Sequence, residues 1–272
     1  MSFISLRSPA RAGGSGARGD LLYYVRRLGL STNCKLILDA GDSASYSSGQ
    51  SWLDRSGNGY DFFLGTTSGA EGSDPTFNGT AGQRTASEYF STDGGDRFRY
   101  DTTNETWMQN IHKNNAIFSI VAWVYTPNLA GNSGIFGNVQ NSTSEIGFAW
   151  YLDSSERLRF VTANGSAPCI SVTSTAALTA STWTMISVGL NESVGAGGGL
   201  FSIGATQETF TSTYTSPSAS NATNTTEILA NGSGILAASG TRIAALAAWE
   251  GRMLTASEIQ TLHYATRPRF GV

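Results

Sequence analysis

From residue 35 onward the chain alternates short apolar runs with clusters of Gly, Asn, Asp and Ser. The runs are KLILD (35–39), DFFLG (61–65), RFRYD (97–101), IFSIVAWVY (117–125), IGFAWYL (146–152), RLRFVT (157–162), CISVT (169–173), TWTMISVGL (182–190), LFSIGA (200–205), TEILA (226–230) and TRIAALAAW (241–249). Runs at a spacing of roughly 10 to 15 residues, bounded by turn formers, predict an all-β sandwich or barrel. In 117–125, Phe118, Ile120, Ala122 and Val124 fall on one face, and Ser119, Val121, Trp123 and Tyr125 on the other. Both faces are largely apolar, which predicts a central strand covered on both sides.

Two segments read differently. In DLLYYVRRLGL (20–30), Leu21, Leu22, Val25 and Leu28 line one helical face, Asp20 stands as N-cap and Gly29 lies just past the end. So short a helix is marginal alone and needs a surface to pack on, in its own domain or a partner's. Near the far end, Thr255 and Glu258 form a capping-box pattern before Ile259, Leu262 and His263, and Arg267-Pro268 marks the exit. The stretch SPARAGGSGARG (8–19) has no periodicity and predicts a linker.

Composition narrows the class. Only 14% of the residues are charged, against roughly 25% in ordinary domains. The 32 glycines follow no three-residue period, so collagen is excluded. Thirteen Phe, ten Tyr and six Trp are too many for a disordered chain and ample for a core. The longest apolar run, Ile243 to Trp249, is far short of the roughly 20 residues of a membrane span. Arg7 and Arg11 precede no apolar stretch of the secretory type, so no membrane insertion and no signal peptide are expected. Cys34 and Cys169 have neither metal-ligand nor disulfide-framework spacing, so two free thiols in a reducing compartment are expected.

The net charge of −3 is unevenly distributed. Residues 1–35 carry six basic residues against Asp20 alone, a net of +5, which leaves 11 basic and 19 acidic residues, a net of −8. A basic arm on an acidic body predicts docking to something acidic. Nucleic acid is not the expected partner, because no basic run exceeds Arg26-Arg27 and no reading motif accompanies it.

Candidate chemistry is sparse. No pair of acids alternates along a strand as a retaining glycosidase needs; Asp93/Asp96 and Asp153/Glu156 sit in turn-like segments. The two histidines, His112 and His263, accompany no G-x-S-x-G and are too few for a zinc site. GAGGG (195–199) lacks the Lys-Ser/Thr of a phosphate loop. Eight N-x-S/T sequons, at Asn78, Asn104, Asn141, Asn164, Asn191, Asn221, Asn224 and Asn231, are expected to stay unmodified without export. An enzyme is therefore not expected. Trp107 and Trp150 are the tryptophans least evidently in the core; each is either buried or a platform for a sugar ring. DRSGNG (54–59) and DGGD (93–96) read as tight turns, with a rim Ca²⁺ site through Asp54, Asn58, Asp93 and Asp96 as the functional alternative. Otherwise no cofactor is expected.

Five segments in order, 38–65, 89–100, 118–127, 181–191 and 245–265, resemble concanavalin A-like, laminin-G-type domains. The resemblance spans about residues 36–266 and implies an antiparallel two-sheet jelly-roll sandwich, here flanked by a short N-terminal arm and helix and a short C-terminal helix. Such domains are binding modules, which implies a lectin-like role. The first 65 residues further resemble sandwich domains of tailed bacteriophages and prophage-like particles. That implies two parts: an anchoring arm and helix (1–34) and a jelly-roll body (35–272). The arm, through Arg7, Arg11, Arg18, Leu21, Leu22, Val25, Arg26 and Arg27, would hold other virion structural proteins. The body, on the virion surface after assembly in the host cytoplasm, would attach to host-surface glycans as a head, neck or tail decoration, in a homo-oligomer of trimeric type. The alternative is a carbohydrate-binding module of an exported bacterial protein.

Overall fold

A computed structural model describes residues 19–101, 103–139, 144–232 and 234–272. In chain order its strands are β1 (Cys34–Asp39), β2 (Ser51–Trp52), β3 (Phe62–Leu64), β4 (Thr76–Asn78), β5 (Tyr89–Ser91), β6 (Phe98–Tyr100), β7 (Ile117–Tyr125) and β8 (Ser133–Gly137). They continue as β9 (Ile146–Leu152), β10 (Arg157–Asn164), β11 (Pro168–Ala177), β12 (Trp183–Asn191), β13 (Gly199–Ile203), β14 (Thr206–Phe210), β15 (Glu227–Ile228) and β16 (Arg242–Glu250). Three helices are α1 (Leu21–Arg27), α2 (Thr106–Asn110) and α3 (Ala256–Thr266). All pairings are antiparallel and form two sheets. One runs β14-β13-β12-β7-β16-β5-β4, with β1 also on β16; the other runs β11-β10-β9-β8-β15-β6-β3-β2.

The space between the sheets is filled by the alternate residues that the sequence pattern put on one face. Phe118, Ile120, Ala122 and Val124 of β7 meet Phe136, Phe148, Trp150 and Phe160 of the opposite sheet. At one end Trp52 and Phe98 lie 4.9 Å apart by ring centroid, and Phe90 of the facing sheet sits 4.8 to 4.9 Å from both. The other face of β7 is also covered, as expected. Val121 and Trp123 belong to a second apolar cluster that includes Ala245, Ala247 and Trp249 of β16.

That second cluster lies under the helices. Asp20 Oδ1 accepts from the Tyr23 N–H (2.7 Å) and caps α1. Gly29, at φ +70°, lets the Leu30 N–H reach the Val25 carbonyl (2.8 Å) while its own N–H bonds Arg26, closing the helix in the left-handed turn glycine favours. Leu21, Val25 and Leu30 then pack onto Ile37, Trp249 and Leu254. Burying each such side chain is worth about 1.5–3 kcal/mol, enough to hold a seven-residue helix that is marginal in water. The capping box of α3 is present as read, Thr255 Oγ1 accepting from the Glu258 N–H (3.2 Å) and Glu258 Oε2 accepting from the Thr255 N–H (2.8 Å). Phe270 stacks on Trp123 at 4.1 Å beside it.

Candidate functional site

The helices cover only part of the outer face of the first sheet. Where their cover ends, a polar groove of about 690 Å³ opens, within the size range of small-ligand sites. Its floor follows from strand register. Thr76 of β4 pairs Ser91 of β5, Ser91 pairs Arg242 of β16, and Arg242 pairs Tyr125 of β7, which pairs Trp183 of β12. Directly opposed residues share a face, so one row of side chains crosses five strands, and its members Thr76, Ser91 and Arg242 line the groove. Asn78 and Tyr89, also opposed, begin the next row.

Arg242 is the centre of this floor. Its guanidinium lies 4.8 Å from the Tyr89 ring centroid and 4.2 Å from that of Tyr125, clamped between two π faces. Both tyrosines are in turn held by Trp183, at 5.7 and 5.9 Å. Among the described residues the Arg242 nitrogens make no hydrogen bond and no ion pair, so a rigid fork of donors is left for a ligand. Beside it, Asn78 Nδ2 donates to the Thr76 carbonyl (2.9 Å) and to Ser91 Oγ (3.0 Å), fixing that amide.

The walls are acidic. Glu71 and Asp74 come from the β3–β4 loop, Asp93 and Asp96 from the β5–β6 turn, and Ser239 and Gly240 from the approach to β16. Each carboxylate also organises its own loop: Glu71 Oε1 accepts from the Thr66 and Thr67 amides, Asp74 Oδ2 from Glu71 (3.0 Å), Asp93 Oδ1 from Gly95 (2.9 Å) and Asp96 Oδ2 from Asp93 (2.9 Å). The Thr66 bonds hold the Glu71 carboxyl below its ordinary range. Burial, with the Asp93 charge nearby, pushes Asp96 above its own. Gly65 backs this wall at φ +75°, where an added Cβ would strike Asp74 and Glu71.

The residues proposed from sequence are distributed otherwise. Trp107 (3% exposed) and Trp150 (0%) are core side chains, Trp107 stacking on Phe136 at 6.4 Å, so neither presents a ring to a sugar. Asp54 and Asn58 are turn chemistry. The Asp54 carboxylate accepts from the Ile37, Ser56 and Gly59 amides at 2.8–3.1 Å, and Asn58 Nδ2 donates to the Lys35 carbonyl (2.9 Å). Asp93 and Asp96 do line the groove, but no group of three or more His, Cys, Asp or Glu among the described residues is placed to hold a metal ion. The four residues of the alternative Ca²⁺ reading are thus not brought together, because each pair closes its own turn.

The expected anchor divides. Arg7, Arg11 and Arg18 lie outside the described residues. Leu21 and Val25 are buried against the sandwich itself and Leu22 is partly buried there, so the apolar face of α1 serves its own fold rather than a partner. Arg26 and Arg27 remain exposed, with Tyr23 (45% exposed) accepting from Arg27 Nη1 at 2.6 Å. Both histidines are buried, His112 Nε2 against the Ser220 carbonyl (3.0 Å). No described helix is long and apolar enough to cross a membrane.

Residues 98–260 match the family described as the concanavalin A-like lectin/glucanases superfamily, in its laminin-G-type form, and the chain belongs to that family. Among solved structures it is similar to the binding domain of botulinum neurotoxin DC in complex with SialylT (TM-score 0.60, 11% identity, 87% of this chain and 52% of that one). It is also similar to Trypanosoma rangeli sialidase (TM-score 0.54, 13% identity, 89% and 37%). A third is a botulinum neurotoxin type C structure described as dependent on two ganglioside molecules for cell entry (TM-score 0.58, 16% identity, 88% and 52%). The chain thus spans between a third and just over half of the length of these proteins, and at such identities the likeness is one of fold. The fold is shared by enzymes and by binding domains. No curated protein sequence matches the chain.

Proposed function

We propose that the chain is a non-enzymatic, lectin-like module that binds carbohydrate in the β4–β5–β16 groove. The observation that carries this reading is Arg242, clamped between Tyr89 and Tyr125 with its donors free, on a floor of Thr76, Asn78 and Ser91. Polyhydroxylated ligands are recognised by a few fixed polar groups beside an aromatic surface, and this floor supplies both. Neighbours of the same fold support the reading: one is a binding domain in complex with SialylT, and another depends on two ganglioside molecules for cell entry. A glycan array probed with the full chain tests it. Binding that is lost in Arg242→Ala and in Tyr89→Ala, both still folded by circular dichroism, supports the site; binding unchanged in both moves it elsewhere.

The setting we propose is the surface of a phage-type particle, with the module assembled in the host cytoplasm. The support is the resemblance of residues 1–65 to phage sandwich domains and the net +5 of residues 1–35. Since α1 is part of the fold, the anchor is assigned to residues 1–18 with the exposed Arg26 and Arg27. Incorporation of the full chain and of residues 19–272 into particles, followed by co-sedimentation, is the test. Loss of the shorter chain from particles is expected; its normal incorporation contradicts the anchor.

A further inference from the structure

The charges around the groove say which sugars it takes. Four carboxylates, Glu71, Asp74, Asp93 and Asp96, line it against one guanidinium, Arg242, and no ion pair within 4 Å joins Arg242 to any of them. The carboxylates are held on the walls by bonds to their own loop amides, so they cannot turn away when a ligand enters. Arg242 is fixed by its two tyrosines, so it cannot swing out to neutralise them.

We infer that the groove selects sugars without negative charge, uncharged or amino-bearing, and rejects sialylated and other acidic glycans. This rests on the glycan-binding reading and deepens it. A sugar hydroxyl or ammonium donates to carboxylate oxygens, while ring and hydroxyl oxygens accept from the Arg242 fork; that pairing uses both kinds of group the groove presents. An acidic sugar can satisfy Arg242 only by bringing its own charge among four others of the same sign. Like charges repel across the groove, weakened by solvent and salt but not abolished, and an excess of three negative charges sets the balance against an acidic sugar. The direction is opposite to the sialylated and ganglioside ligands named for proteins of similar fold. It comes from this chain's own loops, 65–75 and 92–97, rather than from the sandwich.

The test is an array in which each uncharged core glycan is printed beside its sialylated and its uronic-acid-bearing form, probed with the full chain at low and at high salt. Uncharged or amino members are expected to bind at least about tenfold better than their acidic partners at low salt, and the gap should narrow at high salt as screening sets in. Asp74→Asn with Asp93→Asn should also narrow it at low salt, by raising the binding of the acidic members. Tighter binding of the acidic members overturns the inference but leaves the glycan-binding reading standing. A gap that ignores both salt and the Asp→Asn pair makes the exclusion steric and overturns it as well. No binding to any member overturns both readings.

Discussion

Asp39 shows how much one side chain carries. Its Oδ2 accepts from the Leu21 N–H of α1 (2.7 Å), and its Oδ1 from the Gly41 N–H (2.8 Å) and from Arg269 Nη1 (2.5 Å). Arg269 also donates to the Thr85 and Glu88 carbonyls, so a buried ion pair ties β1, the start of α1 and the end of the chain together. Removing one member leaves the other charged and unpaired in the interior, so Asp39→Ala is expected to cost about 3–5 kcal/mol in urea unfolding. A second residue-scale prediction concerns pH. Burial lowers the pKa of His112 from its ordinary value, only partly offset by the Ser220 carbonyl, and His263 shifts the same way. The folded state therefore resists protons that the unfolded chain accepts, so stability is full above the free-histidine range and falls as pH drops through it. The urea midpoint should decline between pH 7 and 5, and His112→Gln should flatten part of that decline. Neither Asp39 nor His112 was legible as a key residue in the sequence, because their partners lie 230 and 108 positions away.

At the scale of elements, legibility followed the strength of the local pattern. The two-sided run of β7, the α1 cap at Asp20 and the α3 capping box were each readable because neighbours in sequence make the decisive contacts. β4 and β14 were not: three residues and a polar TQETF hold too few apolar positions to show a period, and their pairing is supplied by partners across the sheet. The unread β4 is one wall-bearing edge of the groove, so the site went unread with it. The partner of α1 could not be chosen from sequence either, since an apolar helical face looks the same whether it meets its own domain or another. With that face now placed, Leu21→Ala should destabilise the whole fold by about 2–5 kcal/mol in a single urea transition; a silent substitution would return Leu21 to the surface. Thr255→Ala should cost about 0.5–2 kcal/mol through loss of the cap, checked in the same assay.

At the scale of the molecule, the fold class was readable because a sandwich repeats one pattern many times, whereas the groove depends on three loops and two short strands that repeat nothing. The uneven charge was visible in the sequence as an arm of one sign and a body of the other. In the fold, part of the body's acidity gathers around the clamped Arg242, lining one groove instead of being spread over the surface. The most direct test of this account is a ¹H–¹⁵N spectrum of the full chain titrated with the tightest uncharged ligand from the array. The account predicts that shifts concentrate in the amides of residues 71–78, 89–96 and 239–242, with the Trp107 and Trp150 indole signals unmoved. Shifts centred on the outer face of β9 to β11, with the groove amides still, would contradict it.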